Sequence, residues 1–130
     1  MNVEQLVRET EQLKAYVYRL DSIYERAKKD EKRPDFYNEV KPFFEKVEKQ
    51  VNGWYTNAKE WVEVNQPKHF RAIQVEAVKK NLLEISVWAF YPETSYKRFK
   101  HSVRSVRYSL ETLEKLLAQW TEGTIDNERE

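Results

Sequence analysis

The sequence predicts an all-α fold: one antiparallel up-down-up-down four-helix bundle over residues 1–123, with a kink or break in the second helix near Pro42, and a disordered polar tail at 124–130. Three observations carry that prediction. Four stretches repeat apolar residues alternately three and four positions apart, the spacing that lays a stripe along one side of an α-helix. Short polar connectors containing Pro34, Pro67 and Pro92 separate them, and short connections force neighbouring helices to run antiparallel. Finally, the 130 residues hold only two glycines and four prolines. Ordinary usage is about 7% Gly and 5% Pro, so the shortage argues against a turn-rich β-protein.

The first helix is expected from Asn2 to Lys28, on the stripe Val3, Leu6, Thr10, Leu13, Val17, Leu20, Tyr24 and Ala27, with Tyr16 and Ile23 widening one flank. Pro34 disfavours helical geometry at Arg33 and closes the first connector. Asp35 is the expected N-cap of the second helix, whose stripe is Phe36, Val40, Phe43, Val47, Val51, Trp54, Ala58 and Trp61. Pro42 interrupts that stripe, at a cost of about 3 kcal/mol were it in an uncompensated helix interior. Gly53 reads as a bare backbone against which another helix packs closely.

The second connector runs from Asn65 to Phe70, with Asn65 as the candidate for a left-handed turn. The third helix carries Val75, Val78, Leu82, Ile85 and Ala89, with Leu83 and Trp88 on a flank; Tyr91 and Pro92 stop it. Between Thr94 and Gly123 lies the clearest stripe in the chain: Tyr96, Phe99, Val103, Val106, Leu110, Leu113, Leu117 and Trp120. Gly123 is the expected stop of this fourth helix. Most of the eighteen aromatic residues (four Trp, eight Tyr, six Phe) fall on the stripes and read as core volume.

Charged residues make up 35% of the chain, yet the signs cancel to a formal net charge of +1, so no global field draws in nucleic acid or anionic lipid. The absence of cysteine excludes disulfides, thiolate zinc sites, iron–sulfur clusters and thiol nucleophiles. The start MNVEQLVRETEQL is charged within a few residues and does not read as a signal peptide. No stretch approaches the roughly 20 apolar residues that span a bilayer. A soluble cytoplasmic protein without membrane contact is expected.

The chemical motifs of helical enzymes are missing. Two-metal bundles use Glu-x-x-His pairs, but Gln66 stands three residues before His69, and Arg98 three before His101. An Arg four to six residues ahead of a His, as in helical ribonuclease bundles, is absent for both histidines. The two glycines are 70 positions apart, so no glycine-rich loop exists to cradle phosphate. No carboxylate falls on a stripe where burial would raise its pKa for acid or base work. We therefore expect no catalytic residue, no metal and no cofactor.

One local anomaly remains. No acid appears between Glu93 and Glu111, while Lys97, Lys100, Arg104 and Arg107 lie along one ridge of the fourth helix with Arg98 and His101 beside them. Cations near a helix N-terminus oppose the dipole by about 0.3–1 kcal/mol each. Two readings account for their presence. The cations form salt bridges to a neighbouring helix, for which residues 34–65 offer six acids against four bases, or they form a contact ridge for an anionic or protein partner. The far flank, Ser102, Ser105, Ser109 and Thr112, has no base to activate a hydroxyl and reads as a packing surface.

The collinear set Lys41-Pro42, Trp54, Pro67-Lys68, the run Val75 to Glu84 (VEAVKKNLLE), and Lys97-Arg98-Phe99-Lys100 resembles the YppE-like family. The resemblance extends over nearly the whole chain from the second helix onward. It implies a small cytoplasmic protein of Gram-positive type, a four-helix bundle of uncharacterised function, and it brings no catalytic or binding residues. Arg71, near the start of the third helix, departs from a good capping residue. Together these readings give a non-enzymatic interaction or structural module, monomeric or a weak homodimer, with an unidentified protein partner. Weak binding of nucleic acid or another polyanion through the basic ridge is the alternative, and an enzyme with a pocket between helices is the more distant one.

Overall fold

A computed structural model describes residues 2–129, without the side chains of residues 121–129. Four helices follow one another: α1 (Val3–Asp30), α2 (Lys41–Asn65), α3 (Ala72–Trp88) and α4 (Tyr96–Arg129), with a π-helical turn at Phe36–Val40 leading into α2. No strand occurs among the described residues. Cross-helix pairs give the directions. On α1 and α2, Thr10 meets Trp54 while Tyr16 meets Phe43. On α1 and α4, Lys14 meets Glu114 while Tyr24 stacks on Phe99. On α2 and α3, Tyr55 meets Glu76 while Phe43 meets Phe90, two residues past the end of α3. In each case the numbers rise on one helix as they fall on the other, so these neighbours are antiparallel. α1 packs mainly on α2 and α4, and α3 on the same two, which closes the ring.

The helix ends follow from local chemistry. Asn2 Oδ1 accepts from Glu4 N at 2.8 Å and Gln5 N at 3.4 Å, capping α1. Asp35 Oδ1 accepts from Asn38 N at 3.1 Å, as expected of the second N-cap. Asn38 Nδ2 also donates to Asp35, and these hydrogen bonds hold the Asp35 carboxyl below its ordinary pKa. The break anticipated at Pro42 is the π-helical turn: Lys41 N reaches back to Phe36 O, and Pro42 falls in the first turn of α2. The wide turn before it eases the ring past the preceding carbonyls.

Several expectations need correction. Asn65 stays helical, its Nδ2 donating to Trp61 O at 2.9 Å, and the left-handed residue that ends α2 is Gln66, with φ of 45°. Gly53 has no helix against its backbone; an added Cβ would meet only Glu9 Oε2, at 3.5 Å. α4 continues past Gly123, since one glycine costs a helix only about 1 kcal/mol and stops it only when it turns left-handed. The side chains of the expected polar tail, 124–130, lie outside the described residues.

The four stripes meet in one core that includes Leu13, Leu20, Val51, Trp54, Leu82 and Leu110, each 1% exposed or less. Burial of such side chains stabilises by about 1.5–3 kcal/mol each. Three stripe residues are exposed: Tyr96 at 57%, Trp120 at 45% and Phe36 at 46%. For α4 the cause is geometric. A strict seven-residue repeat drifts by about 20° per heptad on a straight helix, so the ends of a long stripe rotate out of the seam. Phe36 sits in the π-helical turn, where the α-helical period does not hold. Conversely, Phe70, assigned to a connector, is fully buried and belongs to the core.

Candidate functional site

Ser95 opens α4: its Oγ accepts from Arg98 N at 3.3 Å and its carbonyl from Phe99 N at 2.9 Å. With Phe99, Val103 and Val106 turned into the core, the angular step of the helix decides where each cation points. Lys100 flanks the seam with α1. Its Nζ lies 2.6 Å from Asp21 Oδ1 and 2.5 Å from Glu25 Oε1, with the side chain 17% exposed. Burial alone pulls the Lys100 pKa down, but hydrogen bonds to the two carboxylates outweigh it, and the ammonium titrates above its ordinary range. Arg107, on the same side, places its guanidinium 5.7 Å from the Tyr18 ring of α1.

The rest of the ridge turns toward α3. Lys97, Arg98, His101 and Arg104, with Ser102, line a groove of about 390 Å³ whose α3 wall is Glu84 and Trp88. The Arg98 guanidinium lies 5.7 Å from the Trp88 ring, and a contiguous hollow of about 240 Å³ runs on past Trp88, Thr94, Ser95 and Arg98. Among the described residues, none of Lys97, Arg98, His101 and Arg104 forms an ion pair. The structure thus divides the six-residue ridge. Two members serve the α1 seam, and four share the α3/α4 groove.

The salt-bridge reading of the ridge was right for Lys100 and wrong about its partner. The acids come from α1, not from residues 34–65. Asp21 and Glu25 stand four apart on the flank of the first stripe, so the sequence places both acids on one side of α1. Trp88 and Glu84 were missed as groove walls for a different reason: their off-stripe positions mark a flank without saying which neighbour it borders.

Elsewhere the chemistry is sparse. The buried polar side chains, Thr10 and Ser86, are hydrogen-bonded to Leu6 O and Leu83 O. A hollow of about 350 Å³ at the α1 C-terminal end mixes Arg26, Lys32 and Arg33 with Asp30 and Glu39. Arg33 is occupied there, 3.4 Å from Glu93 and 5.8 Å from the Tyr91 ring. Among the described residues, no group of three or more His, Asp or Glu is placed to hold a metal ion, and no helix is long and apolar enough to cross a membrane.

Comparison with known proteins bears on this arrangement. The profile of a bacterial domain of unknown function, DUF1798, matches residues 10–117, from within α1 to within α4 and across the whole groove. The chain belongs to this family. It is 31% identical over 96 residues to the uncharacterised protein YppE of Bacillus subtilis (strain 168), covering 74% of this chain and 78% of that one. The crystal structure of the B. subtilis protein superposes with a TM-score of 0.89 at 29% identity, over 94% of this chain and 99% of the other. A Listeria innocua protein of unknown function gives 0.88 at 26% identity, over 92% and 96%. The YppE-like resemblance read from the sequence is thereby established, and the fold is that of the family. No activity comes with the family.

Proposed function

We propose that this DUF1798 protein is a non-enzymatic, cytoplasmic binding module that takes an acidic segment of a partner protein in the α3/α4 groove. The observation that carries the reading is the division of the basic ridge. Lys100 is held between two carboxylates, whereas Lys97, Arg98, His101 and Arg104 share one groove with no ion-pair partner among the described residues. Ion pairing within the chain accounts for the first, whereas among the described residues the other four have no carboxylate partner. An Arg stacked on an aromatic ring keeps its N–H edge free for a carboxylate while losing little further freedom on binding.

A protein partner suits the groove better than nucleic acid. The net charge of +1 supplies no long-range attraction to a polyanion, and about four phosphate contacts give only weak, salt-sensitive affinity. Trp88 adds an apolar wall, and Glu84 on the same wall repels a uniformly anionic ligand. The test is a titration of the full chain, at low and at moderate salt, with an acidic peptide and with single-stranded DNA of equal charge. We expect the peptide to bind more tightly, and the Lys97→Glu/Arg104→Glu variant to lose at least ten-fold. Equal affinity of variant and parent for the peptide would remove the groove as the contact surface.

A further inference from the structure

Resting on that reading, we infer that the groove's occupant is helical: an amphipathic helix of a partner protein whose carboxylates are spaced to match Lys97, His101 and Arg104. These three residues stand at i, i+4 and i+7 along the outer edge of α4. With a rise of about 1.5 Å per residue, their axial positions lie about 6 and 4.5 Å apart. A helix laid along the groove with acids four and then three apart repeats those intervals when parallel to α4. Acids three and then four apart do so when antiparallel.

An extended segment does not fit as well. Alternate side chains on a strand advance about 6.6 Å, so a third carboxylate falls roughly 2.7 Å past Arg104. Closing that gap asks the exposed Lys97 and Arg104 side chains to stretch along the groove at a cost in rotamer freedom, which the helical intervals do not ask. A flexible polyanion has no fixed interval and gains nothing from theirs.

Two further side chains set what else the partner helix carries. Tyr108 is 71% exposed and continues the edge one turn beyond Arg104, offering an apolar ring to the same helix. Glu84 on the opposite wall calls for a base on the partner's α3-facing side. The ligand is thus an amphipathic helix with an acidic stripe, an apolar residue about one turn beyond it and a single basic residue across from it, seated as helices seat in grooves generally.

The experiment uses two fluorescent peptides of identical composition. One is helical with glutamates at the matching intervals and a lysine placed for Glu84; the other has its glutamates clustered consecutively. Anisotropy titration against the full chain is expected to favour the matched peptide by at least ten-fold. His101→Glu should cost it a similar factor, and Glu84→Lys should weaken it while strengthening a peptide without the lysine. His101 and Glu84 lie outside the core, and unchanged circular dichroism checks that the variants fold. Equal affinity of the two peptides overturns the helical inference and leaves the acidic-partner reading standing. Binding of neither peptide overturns both, as does single-stranded DNA of the same charge binding more tightly than either.

Discussion

Thr10→Val tests the buried polar link on which the α1–α2 register rests. Thr10 and Trp54 are both fully buried, and Trp54 Nε1 donates to Thr10 Oγ1 at 3.0 Å while Thr10 Oγ1 donates to Leu6 O at 2.7 Å. Valine keeps the shape of threonine and removes the acceptor, so the indole N–H stays buried without a partner. The penalty for such a group is about 1–3 kcal/mol. Each kcal/mol shifts the midpoint of a domain of this size by about 3–5 °C, so Thr10→Val should melt roughly 3–15 °C lower. Urea unfolding followed by circular dichroism would measure the change, with an unaltered slope showing that cooperativity is intact.

A double-mutant cycle isolates the bond from the loss of ring volume. Trp54→Phe removes the donor, so in its background Thr10→Val should cost about 1 kcal/mol less than in the parent. Trp61 provides an internal contrast. Its Nε1 is buried with no hydrogen-bond partner among the described residues, so Trp61→Phe sheds an unsatisfied donor and should cost less than Trp54→Phe. The reasoning is refuted if Thr10→Val changes stability by less than about 0.5 kcal/mol, or if the two substitutions add without coupling.

Three other outcomes follow from the packing. Gly53→Ala should stabilise by about 0.5–1 kcal/mol in the same unfolding assay, because the helical backbone gains propensity and the new Cβ meets only Glu9 Oε2 at an ordinary contact distance of 3.5 Å. Pro42→Ala should stay within about 1 kcal/mol of the parent, as the wide π-helical turn already makes room for the ring, and a gain near 3 kcal/mol would show that the proline is strained. Lys100→Met should cost up to about 1 kcal/mol at neutral pH by removing the ion pairs with Asp21 and Glu25, both of which stay open to water. The folded Lys100 pKa is raised above 10.5, so its contribution is complete below that pH and is lost as pH climbs through the folded value. The gap between parent and variant, followed by urea unfolding from neutral pH upward, should therefore narrow as pH climbs through the folded Lys100 value.

The fold was legible because it is written in periodicity. Stripes such as Leu6 to Tyr24 and Phe99 to Leu117 announce helices and their buried faces without reference to anything distant in the chain. Asp35 could be read as a cap and Pro34 as a stop because these are local effects of one or two residues on the backbone. Phe70 could not be read, since a connector has no period, and its burial depends on how the chain returns over the core. Gly53 misled for a related reason: a glycine marks an opportunity for close approach, and only the neighbouring helix decides whether one is taken.

The cations of α4 show the same boundary. Their clustering and the absence of acids from residues 94–110 are properties of the sequence alone. Which of them are satisfied was decided by tertiary structure, because an angular step along α4 sends Lys100 toward Asp21 and Glu25 but Lys97, Arg98, His101 and Arg104 toward Trp88 and Glu84. Charge is a property of a residue. Pairing belongs to two surfaces that the chain brings together only when it folds.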